Sequence, residues 1–540
     1  MTRNLGTTQT GIEVTAKVYS RYVEDWVNCR DANEGQREIH RKGEIYLPKL
    51  GEQDEDDYKK YLLRSTFLGA FGRTVEAFSG MVFRRAPVIK LPSTMEEWSK
   101  DVTGDGIDLI SFASTVVDEI LITGRAGILT DFPTTDGYGD LTIAQAEALQ
   151  LEPFLRKYIA ESIVNWRLGT LPNGGYGVIK VVLLEFVEEE SIANEFETVD
   201  LRQYRVLDFH EGAYRQRIYK EDQKAATKNV TGAVPMSVDI KSGDKTKGAD
   251  EKLTGKEIPG FHLYEVFPMI GGKTLDYIPF TFINVKTLTA EVEKPPMVDL
   301  VHQNMQHYRV SADYYHGLHY VGLPTPYVTG VTSDNAPNSI GPTQIWALSN
   351  PDSQVGYLQV DAEGFKTLRE EMIAIEGRMA AMGARMLAPE KTGVEAAETL
   401  NVKSRGEQST LSRISGTVSR GMVQALMIAR DWMAGTGDVE FELNKDFIAT
   451  ALTAQDITAL IAAWQSGAIS KEVLFDKLKQ GEVIRETVEF DEHETAVEDG
   501  MEDLDMFNGQ DEADTRGQTG PEPLEEDEIP QDQPPGPNEE

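Results

Sequence analysis

Phe365-Lys366-Thr367-Leu368-Arg369-Glu370-Glu371-Met372-Ile373-Ala374-Ile375-Glu376-Gly377-Arg378-Met379-Ala380-Ala381-Met382 is the stretch that decides how this chain folds. Its apolar residues Phe365, Leu368, Met372, Ile375, Met379 and Met382, with Met386 beyond, advance by alternating steps of three and four. That spacing keeps side chains on one stripe of an α-helix. The predicted helix occupies residues 361–386, about 25 residues, and so spans roughly 37 Å. Leu387-Ala388-Pro389-Glu390-Lys391-Thr392-Gly393 interrupts it, because proline breaks the ladder and glycine lets the chain turn. A second helical pattern covers residues 394–434, with Leu411, Ile414, Val418, Met422, Ala425, Ala429 and Trp432 on one face. Two long helices joined by a Pro/Gly loop read as an assembly element rather than as a pocket.

Upstream, Pro295-Pro296 opens another striped helix, since proline is tolerated in a first turn. Val298, Val301, Met305, Tyr308, Ala312, Tyr315 and His319 carry its stripe, and Gly322-Leu323-Pro324 ends it. Between the two stripes, residues 325–360 are rich in Gly, Pro, Asn and Ser. Strand-like pieces stand there at Tyr327-Val328-Thr329, Gln344-Ile345-Trp346-Ala347-Leu348 and Val355-Gly356-Tyr357-Leu358. On the second striped helix Gly377, Ala380, Ala381 and Ala384 form a small-residue face that lets a neighbouring helix approach closely.

The chain has 540 residues, 40% hydrophobic and 26% charged, enough for several domains. It has no run of about 18 apolar residues, so no membrane span is expected, and its first residues lack the apolar core of a signal peptide. One cysteine, Cys29, excludes an intrachain disulfide and a Cys-rich zinc site; a cytosolic life is the natural reading. The net charge of −36 argues against an ordinary DNA-binding domain, which needs a basic footprint. Residues 482–540 supply more than half of the excess, with Arg485 and Arg516 as the only bases. This proline-containing, apolar-poor end is expected to be disordered beyond about residue 499.

Residues 11–32 read as a weak helix, and residues 54–82 as one helix opening in Asp54-Glu55-Asp56-Asp57 and closed by Arg84-Arg85-Ala86-Pro87. Residues 108–123 form a helix stopped by Gly124; a strand follows to Phe132, then a helix at 143–149. From residue 176 the signal turns to β. Val178-Ile179-Lys180-Val181-Val182-Leu183-Leu184 is a strand, and His210-Glu211-Gly212 and Gly271-Gly272 mark hairpins. Residues 220–259 read as a long polar loop. The first 295 residues therefore predict one α+β domain, helices first and a mostly antiparallel sheet after. Past residue 435 come a short strand at 439–443, a helix opened by Thr453 and Asp456 as a capping box, and another from Ser470 to Gly481.

Gly271-Gly272-Lys273-Thr274 ends like a phosphate-binding loop, but the glycine expected five residues before Gly272 is absent: position 267 is Phe. His302, His307, His316 and His319 share one helix without a visible ligand set. Residues 457–478 resemble a helix-turn-helix, yet Lys471, Lys477 and Lys479 are offset by Glu472, Asp476 and Glu482. No catalytic arrangement is defensible from spacing.

The order of parts resembles the portal proteins of tailed bacteriophages. The closest look lies in Pro296-Met297-Val298-Asp299-Leu300 through Gly322-Leu323-Pro324, in residues 365–387, and in residues 453–478 with Trp464-Gln465-Ser466-Gly467-Ala468-Ile469-Ser470. Tyr46-Leu47-Pro48-Lys49-Leu50 and Gly124-Arg125-Ala126-Gly127-Ile128-Leu129 add to it. The resemblance implies an α+β portal-type fold: wing 1–295, stem helix 296–323, clip 324–360, stem helix 361–386, tunnel loop 387–398, long wing helix 399–437, crown 438–485 and an acidic tail 486–540. It also implies a non-enzymatic, cofactor-free dodecameric ring at the capsid vertex of the virion, assembled in the host cytoplasm, through which double-stranded DNA is packaged and ejected. The implied partners are the terminase large subunit, tail adaptors, and the major capsid and scaffolding proteins. Arg385, Glu390, Lys391, Thr392, Glu395 and Glu398 are the expected DNA-facing loop residues. Gly377, Ala380, Ala381 and Ala384 are the expected subunit contacts, and Trp346, Asn350 and Asp352 the clip docking residues. An acidic wall suits a conduit that must pass DNA without gripping it. An adaptor or scaffold is the alternative within structural proteins, and a terminase or nuclease the alternative among enzymes.

Overall fold

The computed structural model describes residues 11–133, 151–192, 194–223, 258, 261–322, 325–331, 351–358, 363–383, 397–445, 447, 452, 454–481, 483–484, 488 and 490–497. The chain divides into two compact units, residues 1–447 and 448–540.

The first unit opens with α1 (Lys17–Glu34), α2 (Gln36–Lys42), α3 (Glu55–Arg64) and α4 (Ala70–Val82). The acidic cluster does start a helix: the Asp54 side chain accepts from the Asp57 N–H at 2.8 Å, and three further acids sit in the first turn of α3, where the helix dipole favours them. The single helix expected over residues 54–82 is two, however. Ser65 is extended (ψ 147°) and ends α3, so residues 65–69 form a connector rather than a helical turn. After β1 (Val88–Lys90) and α5 (Ser93–Glu96) comes α6 (Leu109–Thr123), capped by the Asp108 carboxylate on the N–H groups of Ile110 and Ser111. Gly124 stops it at φ +77°, and a Cβ there would stand 3.2 Å from the Pro295 backbone. Both the left-handed turn and the close approach require glycine.

Two sheets follow. β2 (Arg125–Asp131), fully buried, lies between β3 (Phe154–Ile159) and β11 (Phe280–Asn284), antiparallel to both. The larger sheet runs in sequence order, β4 (Ile163–Thr170), β5 (Tyr176–Ser191), β6 (Asn194–His210), β7 (Ala213–Glu221) and β8 (Phe261–Val266), all antiparallel. Glu211 and Gly212 both have positive φ (51° and 85°) in the β6–β7 turn, the pair of angles that a two-residue hairpin of this twist needs. A buried polar cluster joins the sheets: Arg205 bonds Glu185 (2.8 Å), Gln216 (2.6 Å) and Asp131 (3.4 Å). Gly271 and Gly272, again both at positive φ, turn β9 (Met269–Ile270) into β10 (Lys273–Thr274). The phosphate-loop look-alike is thus a small β-hairpin, with no helix following to supply N–H donors.

Then come α7 (Val298–Gly322), β12 (Thr325–Thr329), β13 (Gln354–Leu358), α8 (Glu363–Ala381), α9 (Ala397–Trp432) and β14 (Glu440–Glu442). α9 lays Leu411, Ile414, Val418, Met422, Ala425 and Ala429, all buried, into the main core with α6 and α7. The Thr130 hydroxyl on β2 donates to its Ala425 carbonyl at 3.3 Å. β14 pairs antiparallel with β1, Lys90 opposite Glu440. In the second unit α10 (Ala454–Gln465) ends at Gly467, φ +75°, and α11 (Lys471–Gln480) starts at Ser470, whose hydroxyl accepts from the Val473 N–H. Residues 490–497 are helical, with Phe490 and His493 against the buried Phe475 and Glu494 paired to Lys471. Residues 490–497, within the acidic tail expected from residue 486, are therefore folded, because Phe490 and His493 give them something to bury. The helix expected at 143–149, the strand at 344–348, the loop at 224–257, the Thr453 cap and everything beyond residue 497 lie outside the described residues.

Candidate assembly interface

α7 and α8 run antiparallel, and their contacts keep step along the pair. Arg378 Nε donates to Gln303 Oε1 at 3.0 Å, His307 Nε2 lies 3.2 Å from Glu376 Oε1, and Phe365 covers Gly317, where there is no room for a Cβ. The same pairing continues into the β12–β13 ribbon, Thr325 opposite Leu358 and Thr329 opposite Gln354. The helix pair and the strand pair are thus nested antiparallel partners.

Only its first half is held by the body. Val298, Val301, Met305, Tyr308 and Ala312 are buried in the main core, each large side chain contributing about 1.5–3 kcal/mol. Polar contacts fix the same stretch. Asn304 Nδ2 donates to the Leu68 carbonyl at 2.7 Å while its Oδ1 accepts from the Phe71 N–H at 3.2 Å. Ser311 Oγ donates to the Thr66 carbonyl, Arg309 Nε to that of Tyr46, and the Tyr61 hydroxyl to Asp313. Burial, reinforced by that Asp313 bond, raises the Tyr61 phenol above its ordinary pKa. Beyond Ala312 the stripe leaves the core: Tyr315 and His319 are exposed. On α8 Met372, Ile375 and Met379 are buried, Phe365 and Leu368 half-buried, and Met382 exposed. For its inner half the stripe is a seam with the body.

The outer half shows an apolar surface. Tyr315, Leu318, Tyr327, Val355 and Tyr357 are all exposed, and Tyr327 lies over Gly356. Large exposed apolar side chains gathered on so short a segment mark an interaction surface. A two-stranded ribbon alone is marginal in water. The sequence held a signal for these residues in the alternation around Tyr327 and Tyr357, but alternation does not reveal that both faces of the ribbon stay uncovered.

The expected subunit-contact residues fit this surface unevenly. Gly377 is exposed with open space where a Cβ would stand, Ala381 is exposed and Ala380 is half-buried. Glu398, expected in the loop, falls in the first turn of α9, which begins at Ala397; a run of Ala, Glu, Thr and Leu favours continuing the helix backwards. Asp352 stands in the exposed turn before β13. Ala384, Arg385, Glu390, Lys391, Thr392, Glu395, Trp346 and Asn350 lie outside the described residues. The histidines do not converge: His307 is buried against Glu376, and His316 stacks edge-on with Tyr61 at 5.0 Å. Burial, with the nearby Arg64 charge, lowers the His316 pKa. Among the described residues no group of three or more His, Cys, Asp or Glu side chains is placed to hold a metal ion, and no helix is long and apolar enough to cross a membrane.

Residues 296–433 match a family described as "Domain of unknown function (DUF4055)", a span that runs from the start of α7 to the end of α9. No curated protein matches the chain. Among solved structures, a chain of the "Virion of native gene transfer agent (GTA) particle" is similar at 10% identity and TM-score 0.35, covering 75% of this chain and 89% of that one. Chains of the "Neck of empty GTA particle computed with C6 symmetry" and of the "Neck of native GTA particle computed with C12 symmetry" are similar at 10% identity and TM-score 0.34, each with 92% of its own length covered. Likenesses this distant transfer no role to the chain.

Proposed function

We propose that this chain is the subunit of a portal-type ring, in which the α7–β12–β13–α8 hairpin packs side by side with its neighbours around a channel for double-stranded DNA. The observation that carries the reading is the hairpin itself, clamped to the body by its inner half and leaving Tyr315, Leu318, Tyr327, Val355 and Tyr357 uncovered along its outer half. A monomer has no use for that surface, whereas a ring of copies buries it once per subunit. Residues 1–295 serve as the wing, the helical pair as stem, the ribbon as clip, residues 387–396 as the channel loop, and α10–α11 as the crown. In this role the protein is structural, sits in the virion, and offers its clip to a packaging motor during filling and to tail adaptors afterwards. The overall acidity fits a conduit, since a wall of like charge keeps the duplex from sticking.

Images of the purified protein by negative-stain electron microscopy, with native mass measurement, test this directly. Holed rings of a fixed copy number are expected. A compact monomer at micromolar concentration would sink the reading, and rings without a central hole would favour a different head or tail component.

A further inference from the structure

The β5–β6 hairpin outruns the rest of its sheet. β4 stops pairing at Leu183, and the last rung to β7 is Gln203 opposite Lys220. From Phe186 opposite Arg202 to Ser191 opposite Asn194 the two strands have a third strand on neither side among the described residues. Along β5, Phe186, Glu188 and Glu190 are exposed in alternation, with Asp200 across from Glu188. Ile192 and Phe196 at the tip are 72% and 88% exposed. The opposite side is tied down: Lys220 pairs with Glu189, and the Gln223 amide bonds the Glu190 carbonyl and the Ile192 N–H. Glu188, Glu190, Glu195, Glu197 and Asp200, by contrast, have no ion-pair partner among the described residues.

A strip of opposite character lies on α9. Arg413, Arg420 and Met427 follow at steps of seven, are exposed, and share one face. Arg420 Nη2 donates to Thr417 Oγ1 at 3.2 Å, and that hydroxyl lies 3.4 Å from the Val285 carbonyl, which brings Lys286 to the same turn. Lys286, Arg413 and Arg420 also have no carboxylate partner among the described residues. The strip from Arg413 to Met427 is about 21 Å long, and the ribbon from Phe186 to Ile192 about 20 Å. The ribbon carries Phe186, Ile192 and Phe196 beside uncompensated acids, and the strip carries Met427 beside uncompensated bases.

We propose that the acidic ribbon of one copy lies along the basic α9 strip of the next copy, Glu188 and Glu190 meeting Arg413, Arg420 and Lys286, with the ribbon's apolar side chains covering Met427. This rests on the ring reading and names a contact within it. Charge complementarity favours a second copy as occupant, because the matching acidic surface is present on the same chain. DNA is the other polyanion the strip could hold, and the test separates the two.

The test is a charge swap in the full chain, with assembly followed by native mass measurement. Glu188→Lys with Glu190→Lys, and separately Arg413→Glu with Arg420→Glu, should each weaken association about tenfold or more, and combining all four should restore it to within a few-fold. Exposed positions should leave the thermal unfolding of the isolated chain unaltered, so lost assembly is not lost folding. Rings that ignore both reversals, or a combination that does not rescue, overturn the proposal while leaving the ring reading intact. A wild-type chain that never assembles overturns both. If Arg413→Glu with Arg420→Glu weakens binding to a short DNA duplex and leaves association unchanged, the strip faces nucleic acid and the proposal fails.

Discussion

Ala434 follows the last turn of α9 with φ +51°. The N–H of Gly435 reaches back to the Arg430 carbonyl at 2.9 Å, and that of Ala434 to Asp431 at 3.3 Å, the bonds of a helix end that glycine usually closes. A left-handed alanine costs about 1–2 kcal/mol, while glycine loses about 0.5–1 kcal/mol more backbone entropy on folding. The first term is larger, so Ala434→Gly should stabilise the first unit by about 0.5–1 kcal/mol, read as a higher denaturant midpoint. A lowered midpoint would mean that the alanine methyl makes a contact worth more than the strain.

At the scale of elements, α6 depends on its cap. Hydrogen bonds from Ser111 and from the Ile110 N–H hold the Asp108 carboxyl below the usual carboxylate range. Asp108→Ala should cost about 1 kcal/mol at neutral pH. A group whose pKa is lowered on folding contributes stability above its unfolded value and loses it as pH falls through its folded value. The gap between wild type and Asp108→Ala should therefore close below pH ~4, and a gap unchanged at pH 3 would contradict the capping account. On α8 the open space at Gly377 makes a cleaner probe of assembly than the half-buried Ala380. Gly377→Leu has nothing to clash with inside one chain, so it should fold normally yet weaken ring formation by overpacking between copies, about 1–3 kcal/mol per contact. Unaltered rings would remove this face from the interface. The stripes of α7, α8 and α9 were legible because burial on one face repeats at helical spacing whatever it is buried against. The break at residues 65–69 was not: Tyr61 and Leu68 keep helical spacing across it. What opens the chain there is Asn304 bonded to Leu68 and Phe71, and Ser311 bonded to Thr66. Partners more than two hundred positions away leave no mark in a local window. The candidate interface was half legible for a related reason, since periodicity marks a stripe without telling which part the body covers and which part it leaves for a neighbour.

At the scale of the whole molecule, the second unit shows where the chain can be shortened. Removing residues after 500 should leave the ring and the folding of both units intact, because the deleted stretch is acidic and apolar-poor. Stopping at residue 485 removes Phe490, His493 and Glu494 from around α11, and the second unit should then lose its cooperative melt. Equal melting of both truncations would mean that residues 490–497 contribute nothing to its stability. The pairing of β1 with β14 joins residues 88–90 to 440–442, and α9 roofs a core whose other walls come from α4, α6 and β2. During synthesis on the ribosome, the first walls are made long before the roof. At ~5–20 residues per second, β2 waits on the order of a quarter of a minute to a minute for its cover. Throughout that interval the core around Val116, Val117, Ile120, Leu121 and Ile128 lacks the cover that α9 supplies, so the nascent chain is a natural client for chaperones that bind apolar segments. Ribosome-stalled chains ending before residue 400 should be cut by protease within α6, and chains in which residue 443 has cleared the exit tunnel should resist.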